Sequence, residues 1–151
     1  FDSVLDDVVV SCESDLPTDL PLHSDGCSTS TLSESTSEVL GDCPGERVVT
    51  RSFVITDPCG NANSASQIVT FVDETPPIFT VLPPDSIDIF WALGESVPTP
   101  NYAIDDNCDS NASVSMTETS SVDNSEGSGF AETIIRTYTA TDGCLNSTTV
   151  T

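Results

Sequence analysis

One stretch of sequence occurs twice and decides the fold: RSFVITDPCGN at residues 51–61 and RTYTATDGCLN at residues 136–146. Each copy begins with Arg, places an aromatic residue two positions later, and runs through Thr-Asp to a Cys and an Asn. Apolar, aromatic and Thr residues fill the first half, as is typical of a β-strand. The Asp, Gly and Asn residues that follow are typical of a turn. The stretch therefore predicts a strand and a turn in each half of the chain.

The rest of the chain also aligns with itself, with a period of about 80 residues, which is a small foldable domain. The matching blocks are 16–27 with 97–108, 32–35 with 116–119, and 1–7 with 79–85. Between the copies lies DETPP, residues 73–77, and a Pro-Pro pair favours a stiff, extended spacer over a central strand. We therefore predict two domains, 1–73 and 74–151. The second is expected to lack its last strand, because the counterpart of residues 67–72 would follow Thr151.

Each copy contains several short runs of Val, Ile, Thr and aromatic residues, separated by Pro and by Asp/Asn/Gly clusters. No run has a helical period with capping residues. The prediction is an all-β fold: two tandem immunoglobulin-like antiparallel β-sandwich domains in an extended array.

The charge balance excludes several functions. The chain has 25 acidic residues, three Arg and no Lys, which gives a net charge of -22. Nucleic acids and anionic membranes bind basic surfaces, so neither is an expected partner. No stretch is long and apolar enough to insert in a membrane. With one His and no Lys, a catalytic triad, a His-rich metal site and Schiff-base chemistry lack the residues they need. Paired acids could suggest glycoside hydrolysis, but domains this small leave little room for a cleft. We expect no enzymatic activity.

The six Cys residues fit a disulfide framework better than a zinc site, which usually has closely spaced Cys pairs or several His residues. The alignment matches Cys27 with Cys108 and Cys59 with Cys144, whereas Cys12 and Cys43 have no counterparts. The simplest explanation for two Cys residues that both lack a counterpart in copy two is that copy two lacks one disulfide bond. The prediction is therefore Cys27–Cys59, Cys108–Cys144 and Cys12–Cys43, formed in an oxidising, extracellular compartment.

The repeat also pairs acids with the two repeated Arg residues. Strand alternation places Arg51 and Arg136 on apolar strand faces, and Glu34 and Glu118 share faces with Leu32 and Met116. Half-buried ion pairs Glu34–Arg51 and Glu118–Arg136 are the structural interpretation. The functional alternative is an Arg that recognises a carboxylate ligand.

Two further kinds of site are candidates. Ca²⁺ prefers carboxylate oxygens, and a site could combine linker acids with a loop of copy two; its residues would be Asp73, Glu74, Asp105, Asp106 and Asp109. A solvated acidic surface is the alternative. Asn111 and Asn146 begin N-glycosylation sequons, and residues 28–37 could carry O-linked sugar or simply form a loop and strand edge. No other cofactor is expected.

Together, the motifs DNCD (106–109), TET (117–119), RTYTATDGCLN (136–146) and DETPP (73–77) resemble the tandem immunoglobulin-like, hyalin-repeat-like modules of large extracellular surface adhesins. Such modules are found in marine Bacteroidetes and also in algae and protists. The resemblance covers nearly the whole chain; copy two departs from it by lacking counterparts of Cys12 and Cys43 and by having Leu145 where Gly is usual.

The resemblance implies a structural or adhesive segment of a cell-surface protein, fibre or filament, with neighbouring repeats or identical subunits as partners. Two alternatives stay open. One is a Ca²⁺- or glycan-binding module. The other is a filament subunit whose incomplete sheet is completed by a strand of a neighbouring chain.

Overall fold

The computed structural model describes residues 1–26, 29–86, 97–123 and 131–151. In these ranges it contains nine β-strands and no helix, so the all-β prediction is confirmed. It follows that the described residues include no helix able to cross a membrane. The chain divides into two compact units, Phe1–Glu74 and Thr75–Thr151.

Unit 1 contains one four-stranded sheet in the order β1-β4-β3-β2. The strands are β1 Val8–Ser11, β2 Thr31–Leu40, β3 Arg47–Thr56 and β4 Ala62–Val72. The two hairpins, β2–β3 and β3–β4, pair without a register shift along their whole length. β1 is parallel to β4, from Val8 opposite Val69 to Ser11 opposite Val72. The antiparallel prediction did not include this pair; a parallel pair needs a long connection, and here the intervening chain contains both hairpins.

Alternation along these strands gives the sheet one buried face. Val49 in β3 and Val69 and Phe71 in β4 form the core, and Val8, Val10 and Leu16 pack against it. Arg47 lies over Phe71, with its guanidinium carbon 3.7 Å from the ring centre. Because this apolar core is small, polar contacts on the same face of the sheet contribute a larger share of the stability of unit 1.

Unit 2 contains a two-stranded sheet, β5 Ile78–Val81 with β6 Ala103–Asp105, and a three-stranded sheet in the order β7-β8-β9. The three strands of the latter are β7 Ser113–Asp123, β8 Ala131–Thr141 and β9 Ser147–Val150. Tyr138 and Ala140 of β8 are buried, and the Tyr138 ring lies 5.7 Å from that of Tyr102.

Unit 2 was expected to lack its last strand. The structure has a short strand there, β9, which corresponds to the start of β4 and not to residues 67–72. β9 pairs with Tyr138–Thr141 of β8, although it has four residues where β4 has 11. The alignment compared β9 with the start of β4, where side chains are mostly exposed, so its pairing gave no apolar signal.

Candidate functional site

Arg51 is the most buried charged residue in the described part of the chain, with 1% of its surface exposed. Its Nε donates to Glu34 Oε1 at 2.8 Å and one terminal nitrogen donates to Gln67 Oε1 at 2.8 Å. The other terminal nitrogen donates to the carbonyl of Asp19 at 2.9 Å. The guanidinium carbon also lies 4.9 Å from the centre of the Phe53 ring. Each nitrogen of the guanidinium thus has a protein acceptor, which offsets the cost of burying the charge.

These contacts hold together parts of unit 1 that are distant in sequence. Glu34 lies on β2, Gln67 on β4, and Asp19 in the coil that leads to β2. Gln67 then donates through Nε2 to the carbonyl of Asp6 at 2.8 Å, just before β1. We call the side chains of Glu34, Arg51 and Gln67, with the carbonyl of Asp19, the unit 1 arginine clamp.

Unit 2 has a similar arrangement on the same strand position. Arg136 Nε donates to Glu118 Oε2 at 2.8 Å, and a terminal nitrogen donates to the carbonyl of Pro98 at 2.6 Å. The Arg136 side chain is more exposed than that of Arg51, 16% against 1%. The hydrogen bond to Glu118 is the main cause that raises the pKa of Arg136 above its ordinary value. The structure therefore brings together both Glu–Arg pairs named from the sequence.

The sequence did not predict the other hydrogen-bond partners of Arg51 and Arg136. Gln67 lies directly opposite Arg51 in the β3–β4 register, on a face whose neighbours Val69 and Phe71 are apolar. A lone polar residue on an apolar strand face was the available signal. The two carbonyls carried none, because a backbone acceptor in a coil has no side-chain signature. They do come from one aligned block, 16–27 with 97–108.

The second half of the repeated stretch forms a hairpin turn that an Asp side chain closes. In the β3–β4 turn, Asp57 Oδ1 accepts the N–H groups of Cys59 and Asn61, and Oδ2 accepts the side-chain amide of Asn61. In the β8–β9 turn, Asp142 accepts the backbone and side-chain N–H groups of Asn146 at 2.8 and 2.9 Å. The Thr-Asp-x-Cys-x-Asn motif is thus a turn motif, with Asp and Asn four residues apart.

The pKa of Asp57 is lowered, chiefly by the side-chain hydrogen bond from Asn61 and then by its backbone N–H. A carboxylate with a lowered pKa stabilises the fold above its unfolded pKa. That contribution is lost as the pH falls through the lower, folded value. The turn is therefore at full strength at neutral pH and weakens only in acid, below the ordinary value of 3.8.

The two turns differ at their fourth residue. Gly60 has φ 86° and Leu145, its counterpart, has φ 72°, a left-handed conformation that favours glycine. Leu145 is 81% exposed, so its side chain gains little from packing. We predict that Leu145→Gly raises the free energy of unfolding of unit 2 by about 0.5–1 kcal/mol, because relief of strain exceeds the added entropy of the unfolded chain. Hydrogen exchange of β8 and β9 amides measures this.

Gly60→Leu is the matched control for that turn and should lower the stability of unit 1 by a similar amount. If Leu145→Gly left exchange in β8 and β9 unchanged or faster, the strain assigned to Leu145 would be wrong.

The acids named for a metal site lie in different surroundings. Asp73 is buried at the end of unit 1, whereas Glu74 and Asp105 are exposed. Asp106 and Asp109 belong to the loop after β6. Asp106 Oδ1 accepts the N–H groups of Cys108 and Asp109, at 3.0 and 2.7 Å.

Asp109 connects this loop to the β8–β9 turn. Its Oδ1 accepts the N–H of Asn111, and its Oδ2 accepts the N–H of Gly143 at 2.8 Å. As a result, a carboxylate oxygen of Asp106 and one of Asp142 lie within 4.8 Å of each other. Asp106 Oδ2 is buried and has no hydrogen-bond partner among the residues that the structure describes. Asp142 was absent from the metal residues chosen by sequence, because its proximity depends on how the loop folds against the turn.

Four Cys residues, Cys12, Cys43, Cys108 and Cys144, are in two disulfides. Cys12 follows β1 and Cys43 lies in the β2–β3 turn, at the same end of the unit 1 sheet. Cys108 and Cys144 flank the residues joined by the Asp109–Gly143 hydrogen bond. Cys12–Cys43 and Cys108–Cys144 stay the predicted pairing.

Cys59 differs from its counterpart Cys144: it is exposed and has a free thiol in the structure. Its predicted partner, Cys27, lies outside the described residues, and the Cys27–Cys59 bond stays a prediction.

The sequon residues Asn111 and Asn146 lie in turns that differ in their freedom to carry a sugar. Asn111 is exposed before β7. Asn146 uses its side-chain amide in the hydrogen bond to Asp142, so a sugar attached to that nitrogen would compete with the turn.

Neither a scan of protein-family models nor a search of curated proteins finds a match for the chain.

Proposed function

We propose that the chain is a non-catalytic structural or adhesive segment of an extracellular surface protein, composed of two tandem immunoglobulin-like modules. The observation that carries this proposal is that both units contain a Glu–Arg pair whose Arg also donates to a backbone carbonyl. A ligand-binding Arg would direct its donors to an open surface. Arg51 and Arg136 instead donate to a Glu and to a backbone carbonyl of their own unit. These repeated Arg hydrogen bonds therefore stabilise each module and do not bind a ligand in this proposal.

Charge and cysteine chemistry support an extracellular setting. Arg47, the third basic residue, lies near Glu38, with 3.9 Å between Nε and Oε1, and over the Phe71 ring. Since all three Arg side chains are engaged inside their units, the remaining charge is strongly anionic, which favours solubility. Two disulfides are typical of an oxidising compartment.

An antibody raised against the chain tests this location. Intact, unpermeabilised source cells should be labelled, and the purified chain added in excess should remove the label. Mild protease treatment of intact cells should remove it as well, while a cytosolic marker stays unaffected. Labelling that requires permeabilisation would contradict the proposal.

Ca²⁺ binding is the second candidate function, and the loop of unit 2 favours it. Within the described part of the chain, Asp106 Oδ2 is buried without a hydrogen bond, and a carboxylate oxygen of Asp142 lies within 4.8 Å of a carboxylate oxygen of Asp106. Ca²⁺ binds oxygens at about 2.3–2.6 Å, so two ligands of one ion can be up to about 5 Å apart. An ion here would also offset the repulsion between two carboxylates. Asp109 would hold the loop in place through Gly143.

We predict that Ca²⁺ raises the melting temperature of unit 2. At ten times the dissociation constant, the gain is about 1.4 kcal/mol, or roughly 5–10 °C for a domain of this size. Asp106→Asn should abolish the shift, because the amide retains an oxygen for the loop N–H groups but loses the charge. Differential scanning calorimetry measures both.

Asp105→Asn is the matched control, since Asp105 is the adjacent, exposed acid and should leave the shift intact. Mg²⁺ at the same concentration controls for screening of the net charge. A shift of equal size with Mg²⁺, or one that survives Asp106→Asn, would rule out this site.

A further inference from the structure

The outer face of the unit 1 sheet has an unusual composition. This face consists of the alternate positions of β1–β4 that point away from the core formed by Val49, Val69 and Phe71. Within the strands these positions are Ser, Thr, Val, Ile and Ala, without a charged residue. Yet 19% of the chain is charged, and the other face carries Glu34, Glu38 and both Arg residues of unit 1. Asp7 borders the outer face, where its carboxylate accepts the N–H of Ile68 at 2.7 Å.

The apolar residues of this face are aligned and exposed. Val9, Thr70, Val48 and Val39 lie opposite one another across all four strands. Val9 and Val39 are each 69% exposed, and Val48 and Ile68 are 37% and 41% exposed. Among the side chains that the structure describes, the corresponding face of unit 2 is Ser and Thr apart from Ile135. The aligned apolar row is therefore a feature of unit 1.

We propose that two copies of the chain pack face to face through the outer face of the unit 1 sheet. The net charge of -22 restricts a second copy to a face without charges. Two such chains repel each other wherever acids face acids, and a buried unpaired charge is costly. A face without charges is where a second copy can approach. Aligned packing of two sheets places them about 10 Å apart, a distance that Val, Ile, Ser and Thr side chains fill.

The area of the face is sufficient for a specific but weak contact. Three strands of about ten residues and the short β1 cover about 550 Å² per copy, at about 4.8 Å between strands and about 3.3 Å per residue. Two copies then bury about 1,100 Å², slightly above the roughly 1,000 Å² expected of a specific interface. This contact uses the face of the sheet and differs from strand exchange, which would use an edge. It deepens the proposed structural role by naming an identical chain as the partner, although a module that did not pair could still serve as a spacer.

Sedimentation equilibrium tests the contact over micromolar to millimolar protein and at two salt concentrations. We expect the weight-average mass to rise from 15.9 kDa toward twice that value. The dissociation constant should fall at least about tenfold between about 0.1 M and about 1 M NaCl, because salt screens the repulsion while the contact itself is uncharged. The double variant Val48→Asp/Ile68→Asp should weaken association at least tenfold at either salt concentration.

Ile135→Asp is the matched control, because it adds an acid to the central strand of the three-stranded sheet in unit 2. This variant should associate like the unaltered chain. Circular dichroism confirms that each variant is folded. Three results of the sedimentation experiment would overturn the proposal: a monomer at every protein and salt concentration, a Val48→Asp/Ile68→Asp chain that associates normally, or an Ile135→Asp chain that loses association equally. O-linked sugar mapped to outer-face Ser or Thr residues of the native protein would overturn it as well, because sugar would then occupy the face.

Discussion

Arg51→Met is expected to lower the free energy of unfolding of unit 1 by about 3–5 kcal/mol, because three acceptors lose their donor at about 1–2 kcal/mol each. The variant leaves the side-chain oxygen of Gln67 and the carbonyl of Asp19 without their donor, and Glu34 without its counter-ion. Methionine fills much of the same volume, so the loss reports the polar contacts rather than a cavity. Hydrogen exchange with mass spectrometry reads β3 and β4 separately from unit 2.

Arg136→Met is the matched variant, with an expected loss of about 1–2 kcal/mol in unit 2. Its smaller effect follows from the greater exposure of the Arg136 side chain, 16% against 1% for Arg51. Arg51→Lys should give an intermediate loss in unit 1, because an ammonium keeps the charge but lacks the planar fork. Equal losses for Arg51→Met and Arg136→Met would show that burial does not set the strength of the clamp.

Loss of one disulfide is expected to have the second largest effect. Cys12→Ser/Cys43→Ser should lower the free energy of unfolding by about 3–4 kcal/mol, because a bond between these residues closes a long loop in the unfolded chain. Under the predicted pairing, the variant keeps Cys108–Cys144 intact, and Cys108→Ser/Cys144→Ser keeps Cys12–Cys43 intact. Urea unfolding with and without reductant measures the stability.

Non-reducing peptide mapping decides the pairing itself. We expect the peptide containing Cys12 to be linked to the one containing Cys43, and Cys108 to Cys144. Cys27 and Cys59 are expected to be linked in protein purified without reductant and to resist alkylation until it is reduced. Any other disulfide among Cys12, Cys43, Cys108 and Cys144 would contradict the pairing inferred from the repeat.

The sequence was most informative where the repeat and strand alternation acted together. The all-β class followed from strand-like runs of Val, Ile, Thr and aromatic residues. The association of Glu34 with Arg51 followed from the repeat and from the side of the strand on which each residue lies. Alternation places a residue on a face, but it does not give the register. Glu118 lies directly opposite Arg136, whereas Glu34 lies opposite Phe53 and reaches Arg51 diagonally.

The unpredicted parts depend on the path of irregular chain. The carbonyls of Asp19 and Pro98 reach the two Arg residues from coil segments that have no periodic pattern. The proximity of Asp106 and Asp142 depends on a loop that folds against a turn more than 30 residues away, through the hydrogen bond from Gly143 to Asp109. The parallel pairing of β1 escaped prediction for a similar reason, since three apolar residues in a row do not indicate strand direction.

That parallel pair has a mechanical consequence for unit 1. β1 lies near the start of the unit and β4 near its end, and both run in the same direction. Tension applied through the two ends of the unit pulls these neighbouring strands in opposite directions along their length. Their hydrogen bonds, extended by the bond from the Cys12 N–H to the Val72 carbonyl, are then loaded in shear and must break together rather than one after another. An antiparallel pair at the same place would open like a zipper, so strand direction alone makes this module resist stretching.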